Sequence, residues 1–499
     1  MKLDWVWNWF TVDTRALAAM RIALALVMLF DVYSHQTELL DYYTDSGFTP
    51  RSVVPESRYA SLYFLSGSAG YVQCLFALHA LMAILLLVGY QTRLATIGCL
   101  IMVQSMIARN QILTNSGDSF LFWLLTWSIF LPLGARASVD SRTSRTRAPP
   151  TVCNLATVAL LLQVVFVYWG AGLGKNTPLW ISDFSAVYVI LSSHLGTPLG
   201  LMLARYPVAT KLVTLATLVL EILGPVAALV TIRQPRLRAL MVLAFFCFHI
   251  GIATTVYVSA FSFISMAAWL PYVPAPAWDV LEKIFPWDII RRGWGGMMDA
   301  LAKMVEGLSR AIKYAAARSI SGVTLGAPGR AIVAVLLAYV VFLNLLTDAM
   351  LILRRPLPSL PAAKQVWNVM ATVPTGAQWF VIQATFADGS VVTIDQSAQL
   401  QNERKVGWMR FLIPPDNGRL PIFHQRLQAH TVAGKLQYID AYCKHQLALA
   451  RARFPDKKIV SISAYSFYQE IPPVDSVNVT PEHILHPLYT LNVDGSRTS

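Results

Sequence analysis

Lys175 is the residue that its neighbours place best for chemistry. It ends the stretch Gln163-Val-Val-Phe-Val-Tyr168-Trp-Gly-Ala-Gly172-Leu-Gly-Lys175, and Asn-Thr-Pro-Leu-Trp180 follows. A long apolar run therefore leads into three alternating glycines and a single amine. An ammonium is costly in hydrocarbon, so this one belongs at a membrane–water boundary or in a wet cavity. Gly170, Gly172 and Gly174 let backbone or a ligand approach closely. A lysine held partly out of water can have a lowered pKa and act as a base. The plainer alternative is a side chain that snorkels to the interface.

Five further ionisable residues sit in or beside apolar runs: Arg21, Asp31, Asp118, Glu221 and His249. Arg21 and Asp31 are ten positions apart, nearly three helical turns, so each needs a partner on another helix. Buried polar links that fix helix packing would explain both of them, and Glu221 as well. Asp118, in Asn115-Ser-Gly-Asp118, suits a helix N-cap as well as a supporting role in a site. His249 follows Phe245-Phe-Cys-Phe248, where a neutral core histidine and a proton shuttle facing Lys175 are both open readings. Tyr168 and Trp169 suit packing, and aromatic walls would also suit a flat quinone.

The elements that must position these residues are membrane spans. Of 499 residues, 55% are hydrophobic and only 13% charged; a soluble chain carries about 25% charged residues. The expected fold is a polytopic α-helical membrane protein of about nine spans with a small α+β C-terminal soluble domain. The spans fall near 15–34, 70–90, 94–109, 119–134, 152–173, 207–231, 239–258, 261–273 and 330–353, the eighth short enough to be re-entrant. An amphipathic segment covers 178–202. The domains are a bundle over 1–275, a basic surface segment over 276–329, the last span over 330–353 and the extramembrane tail over 354–499. In the tail, 379–386 and 390–394 read as a β-hairpin around Ala-Asp-Gly389, 436–450 as a helix and 459–468 as a strand.

The net charge of +13 first suggests cytoplasmic loops that set orientation. Arg136, Arg142, Arg145 and Arg147 share one short loop, and Arg233, Arg236 and Arg238 another. Both fall on one side if the N-terminus is cytoplasmic, which puts Lys175, Asp118 and the tail outside; Arg354 and Arg355 run against that rule. The first span is read as retained rather than cleaved. Five cysteines without CxxC or Cys/His spacing argue against a disulfide framework and a structural zinc, and no metal site is expected. No nucleic-acid motif is present.

Four features together resemble the vitamin K-dependent γ-glutamyl carboxylase-like, or HTTM, membrane proteins. They are Arg21…Asp31 followed by Tyr43-Thr-Asp45-Ser-Gly47, Tyr168-Trp-Gly-Ala171-Gly172-Leu-Gly-Lys175…Trp180, Glu221-Ile-Leu-Gly224-Pro225, and Phe248-His249. The tail phrase Gln365-Val-Trp367…Pro374…Trp379, then Asp388-Gly389, is similar to the extramembrane part of bacterial members. The resemblance implies that Lys175 deprotonates a reduced vitamin K-like quinone such as menaquinol. It further implies O2 and CO2 as co-substrates, and carboxylation of a peptide or protein glutamate helped by His249. Arg21, Asp31, Asp118, Tyr168, Gly172, Trp180 and Glu221 become supporting or binding residues. The implied setting is a multi-pass protein of the bacterial inner membrane.

Two departures matter. Asp118 stands where the animal enzyme has a histidine, and the tail is much smaller than the enzyme's extramembrane region. A non-catalytic maturation or export factor for a secreted peptide is therefore the alternative. Transport is a weaker third reading, because no inverted repeat or paired broken helices are evident.

Overall fold

The computed structural model describes residues 7–36, 38–54, 61–144, 148–193, 195–258, 260–284, 293, 295–300, 303, 326–352, 367, 369, 370, 373, 376–394, 420–471, 483–493 and 497–498. The principal helices are α1 (Thr14–Ser34), α2 (Ala69–Val88), α3 (Thr92–Arg109), α4 (Ser116–Ser128), α5 (Leu155–Gly174), α6 (Pro207–Val230), α7 (Pro235–Thr255), α8 (Phe261–Trp269), α9 (Ala275–Ile284) and α10 (Ala327–Ile352). Among the described residues, six helices are long and apolar enough to cross a membrane: α1, α2, α5, α6 with its 3-10 extension to Arg233, α7 and α10. The other three expected spans coincide with α3, α4 and α8, which fall short of that combination of length and apolarity. The protein is thus a multi-pass membrane protein, with these six helices as its candidate spans.

Local sequence explains where the helices start and stop. α5 begins at Asn154, whose side chain accepts from the Ala156 and Thr157 amides, and Thr157 answers on the Asn154 amide. α4 begins at Asn115 in the same way, so the expected N-cap at Asp118 is corrected by three positions: Asp118 is the residue that closes the capping box. α2 stops at Gly89 in the left-handed region (φ +67°), where a side chain would strain the backbone. There a Cβ would also strike the Arg21 guanidinium at 2.4 Å.

α5 is the centre of the bundle. It packs against α10, α6 and α4, and 83% of its most apolar window is buried, against 33% for α6 and 22% for α7. α6 and α7 instead present Leu212, Val219, Leu223, Leu240, Leu243 and Ile250 outward, as lipid-facing helices do. The expected amphipathic segment 178–202 is three short helices, Pro178–Ile181, Ala186–Ser192 and Pro198–Ala204. Of the expected basic surface segment 276–329, the structure describes α9, scattered positions between 293 and 303, and the residues from 326 on; the rest lies outside the described residues, as do Arg145, Arg147, Arg354, Arg355, Gln365 and Pro374. A two-stranded ladder, β1 (Val12–Asp13) with β2 (Thr151–Val152), ties the N-terminus to the start of α5. All five cysteines are free.

The C-terminal part carries a five-stranded antiparallel sheet of order β4-β3-β5-β6-β7. Its strands are β3 (Gly376–Phe386), β4 (Val391–Thr393), β5 (Ile459–Glu470), β6 (His483–Asn492) and β7 (Arg497–Thr498), with α11 (Leu420–Val432) and α12 (Leu436–Arg453) between β4 and β5. The hairpin, helix and strand expected in the tail all form; β6 and β7 were not anticipated. This unit packs on the loops at one end of the bundle. Phe48 contacts Phe423 and Tyr442 edge or tilted, His445 Nδ1 bonds the Ser46 carbonyl at 2.9 Å, and Arg426 donates to the Thr114 carbonyl. In the loop beneath, the Arg51 guanidinium holds the Asp45 carboxyl below the usual carboxylate range, at 2.7 Å.

Candidate functional site

Two glycine notches in α5 create the surroundings of Lys175. A Cβ at Gly172 would meet Ile222 Cγ1 at 2.8 Å and Glu221 Cβ at 3.3 Å, so this glycine is what admits α6. A Cβ at Gly170 would meet Trp367 Cβ at 2.9 Å, so the other notch admits the chain beyond α10. Trp367 is 1% exposed and donates from Nε1 to Asn344 Oδ1 at 3.1 Å. Residue 370, in the same segment, is a methionine at φ +55°, a left-handed conformation unusual for a non-glycine residue.

The Lys175 amine is enclosed. It donates to Glu221 Oε2 at 2.7 Å, to the Val369 carbonyl at 3.0 Å and to the Ala171 carbonyl at 3.3 Å. It also lies 5.0 Å from the centroid of the Trp180 ring. Lys175 is 3% exposed and Glu221 5%. All three ammonium protons thus have acceptors, and one acceptor is a carboxylate. Such a pair can hold its proton on either partner: transfer from Nζ to Oε2 leaves a neutral amine, the form able to take a proton from a ligand. Trp180 Nε1 beside the amine, and Thr177 Oγ1 three residues before Trp180 in the chain, have no hydrogen-bond partner among the described residues. These two are donors with capacity for a ligand oxygen.

His249 belongs to a second layer. Its Nε2 bonds the Tyr168 hydroxyl, and Trp269 Nε1 donates to that same hydroxyl at 2.8 Å. Trp269 donates to the Tyr168 oxygen, and where the Tyr168 proton is directed to Nε2 the imidazole proton is on Nδ1. That Nδ1 is buried and unpartnered. Phe245 stacks on Trp269 at 3.8 Å and closes this layer. Tyr168 is on α5 and Lys175, its C-cap, comes seven residues later, so the two layers are about 10 Å apart along the axis.

The remaining sequence candidates lie elsewhere. Arg21 donates to the Leu133, Arg136, Leu87 and Ala137 carbonyls, the last at 2.6 Å, and so clamps the loop after α4. Asp31 pairs with His35 at 3.5 Å. Asp31 and Asp118 both line a small cavity, about 40 Å³, together with His35, His79 and Asn110. Thus Lys175, Glu221, Gly172 and Trp180 come together, Tyr168 and His249 form the layer below, and Arg21, Asp31 and Asp118 join neither. The sequence reading missed Val369 and Trp367 as parts of the Lys175 environment. The only signal was that Trp367 lies in the tail phrase already singled out. Among the described residues no group of three or more His, Cys, Asp or Glu is arranged to hold a metal ion.

No curated protein matches the chain, and no solved structure does. The HTTM domain matches residues 9–278, more than half of the chain and all of the bundle up to α9. This region holds Lys175, Glu221, Tyr168 and His249, and the chain belongs to the HTTM domain family.

Proposed function

We propose that this chain is a membrane enzyme in which Lys175, paired with Glu221, is the base toward a reduced quinone, in the manner of the vitamin K-dependent γ-carboxylases. The single observation that supports this most is the buried amine held 2.7 Å from a buried carboxylate. The residues present fit a quinol: Trp180 offers a flat face, and Trp180 Nε1 and Thr177 Oγ1 are donors without partners. A reduced quinone would supply, with O2, the oxidative driving force for CO2 addition to a peptide glutamate. Lys175 Nζ, neutral once its proton has passed to Glu221 Oε2, would receive the ligand proton, and the ammonium so formed would face the ligand anion. His249 would take up a proton at Nε2 through the Tyr168 hydroxyl, one layer down. The Val369 carbonyl caps the amine, so it would give way when a ligand reaches Nζ. The setting of this reading is a bacterial inner membrane with the N-terminus cytoplasmic and the tail outside.

One observation favours the non-catalytic alternative, a maturation or export factor: every Lys175 donor already has a protein acceptor. Purified protein in lipid nanodiscs, supplied with reduced menaquinone and O2, separates the two. The enzyme reading expects oxygen uptake that Lys175→Ala removes. Absence of uptake above the protein-free rate, with an assembled protein, would favour the alternative.

A further inference from the structure

The basic turn between α6 and α7 has no role in the Lys175 site, and it contains an unusual side chain. Arg238 is 1% exposed, yet none of Nε, Nη1 and Nη2 has a hydrogen-bond partner among the described residues. Its only described interaction is with the face of Tyr272, whose centroid is 5.3 Å from the guanidinium carbon. Tyr272 is itself fixed, its hydroxyl donating to the Leu161 carbonyl at 2.8 Å. The nearby acidic helix α9 spends Asp279 and Glu282 on Arg15, at 2.7 and 3.6 Å. A buried cation without a counter-charge is strongly unfavourable. Its position makes this worse, because Arg238 lies in the first turn of α7, where the helix dipole favours an anion. Arg233 and Arg236 stand exposed on the same turn. Leu237, Leu240 and Leu243, running up α7 from this end, face outward and are 38–58% exposed.

We infer that Arg238, with Arg233 and Arg236, is a binding site for the phosphate of an anionic phospholipid. The guanidinium fork suits a phosphate in two-point contact. The long side chain reaches the headgroup layer by turning about its own bonds. The outward leucines give the acyl chains an apolar track. A lipid is favoured over a free phosphate because exposed Arg236 lies on the same face of α7 as the outward Leu240 and Leu243.

The test is lipid retention by the full chain, read by native mass spectrometry after delipidation and addition of phosphatidylglycerol or phosphatidylcholine. Wild type is expected to bind phosphatidylglycerol at least about tenfold more tightly than Arg238→Gln does, about 1.4 kcal/mol or more. Phosphatidylcholine should show the smaller dependence, and Arg236→Gln should lose about threefold or less, as a screened surface charge does. Should Arg238→Gln fail to assemble, Arg238→Lys decides. It keeps the charge but not the fork, and a several-fold loss supports the site. Equal phosphatidylglycerol binding by wild type and by whichever Arg238 variant assembles overturns it. Displacement of the lipid by millimolar inorganic phosphate, with the same Arg238 dependence, overturns the lipid assignment in favour of a free anion.

Discussion

Removing the carboxylate from the Lys175–Glu221 pair should cost more than removing both partners. At 2.7 Å and an effective dielectric of about 20, the gross attraction is about 6 kcal/mol. Desolvation of two buried charges offsets much of this, so the pair itself contributes little net stability. Breaking it is different. Glu221→Leu strands an ammonium that keeps only the Ala171 and Val369 carbonyls, and the expected loss is about 3–5 kcal/mol. Lys175→Met strands the carboxylate, with a similar loss. The double variant Lys175→Met/Glu221→Leu should return to within about 1–2 kcal/mol of wild type, because both charges have gone. Equilibrium unfolding in mixed micelles, followed by tryptophan fluorescence, measures all four corners. A double variant whose loss equals the sum of the singles would mean that amine and carboxylate are not coupled, and the reasoning about the site would fail with it.

Other expectations follow from the same geometry. Gly172→Ala should push α6 off α5 and lower both stability, by about 1–3 kcal/mol, and any Lys175-dependent activity; a Glu221–Lys175 crosslinking yield equal to wild type would contradict it. Trp367→Ala empties the notch over Gly170, so Lys175 should react with an amine-acylating reagent at least several-fold faster, scored by peptide mass spectrometry. Tyr168→Phe removes the hydroxyl on His249 Nε2 and should alter the pH profile of activity more than the fold, as judged by melting. In the loop under the tail, Asp45 has a depressed folded-state pKa owing to Arg51. Its stabilisation is full above the unfolded carboxylate value near 4 and fades as pH falls through the folded value. Proteolysis of that loop should therefore quicken below about pH 4, and Arg51→Gln should abolish the pH effect.

The bundle was largely legible because apolar length and charge depletion write themselves into composition. α1, α2, α5, α6, α7 and α10 fall close to the apolar runs. α4 and α8 were harder: at 13 and 9 residues they are packed among other helices, where burial replaces length as the requirement. The Lys175 residue itself was readable from its glycines. Its partner was not, since Glu221 lies 46 positions away and sequence spacing says nothing of contacts between helices. Arg21 and Asp31 were legible as polar residues needing partners on other elements. Arg21 met carbonyls of a loop instead of a carboxylate, a match that only the folded backbone reveals. Val369 was invisible for the same reason, because a backbone carbonyl carries no residue-type signature.

The most direct test of the central claim is quinol-dependent oxygen uptake by wild type, Lys175→Ala and Lys175→Arg, with a small amine added back to the alanine variant. Uptake by wild type, loss in both variants and partial return with ethylamine is the predicted result, because the amine at that position is the base. Uptake in Lys175→Ala at the wild-type rate without added amine would contradict it.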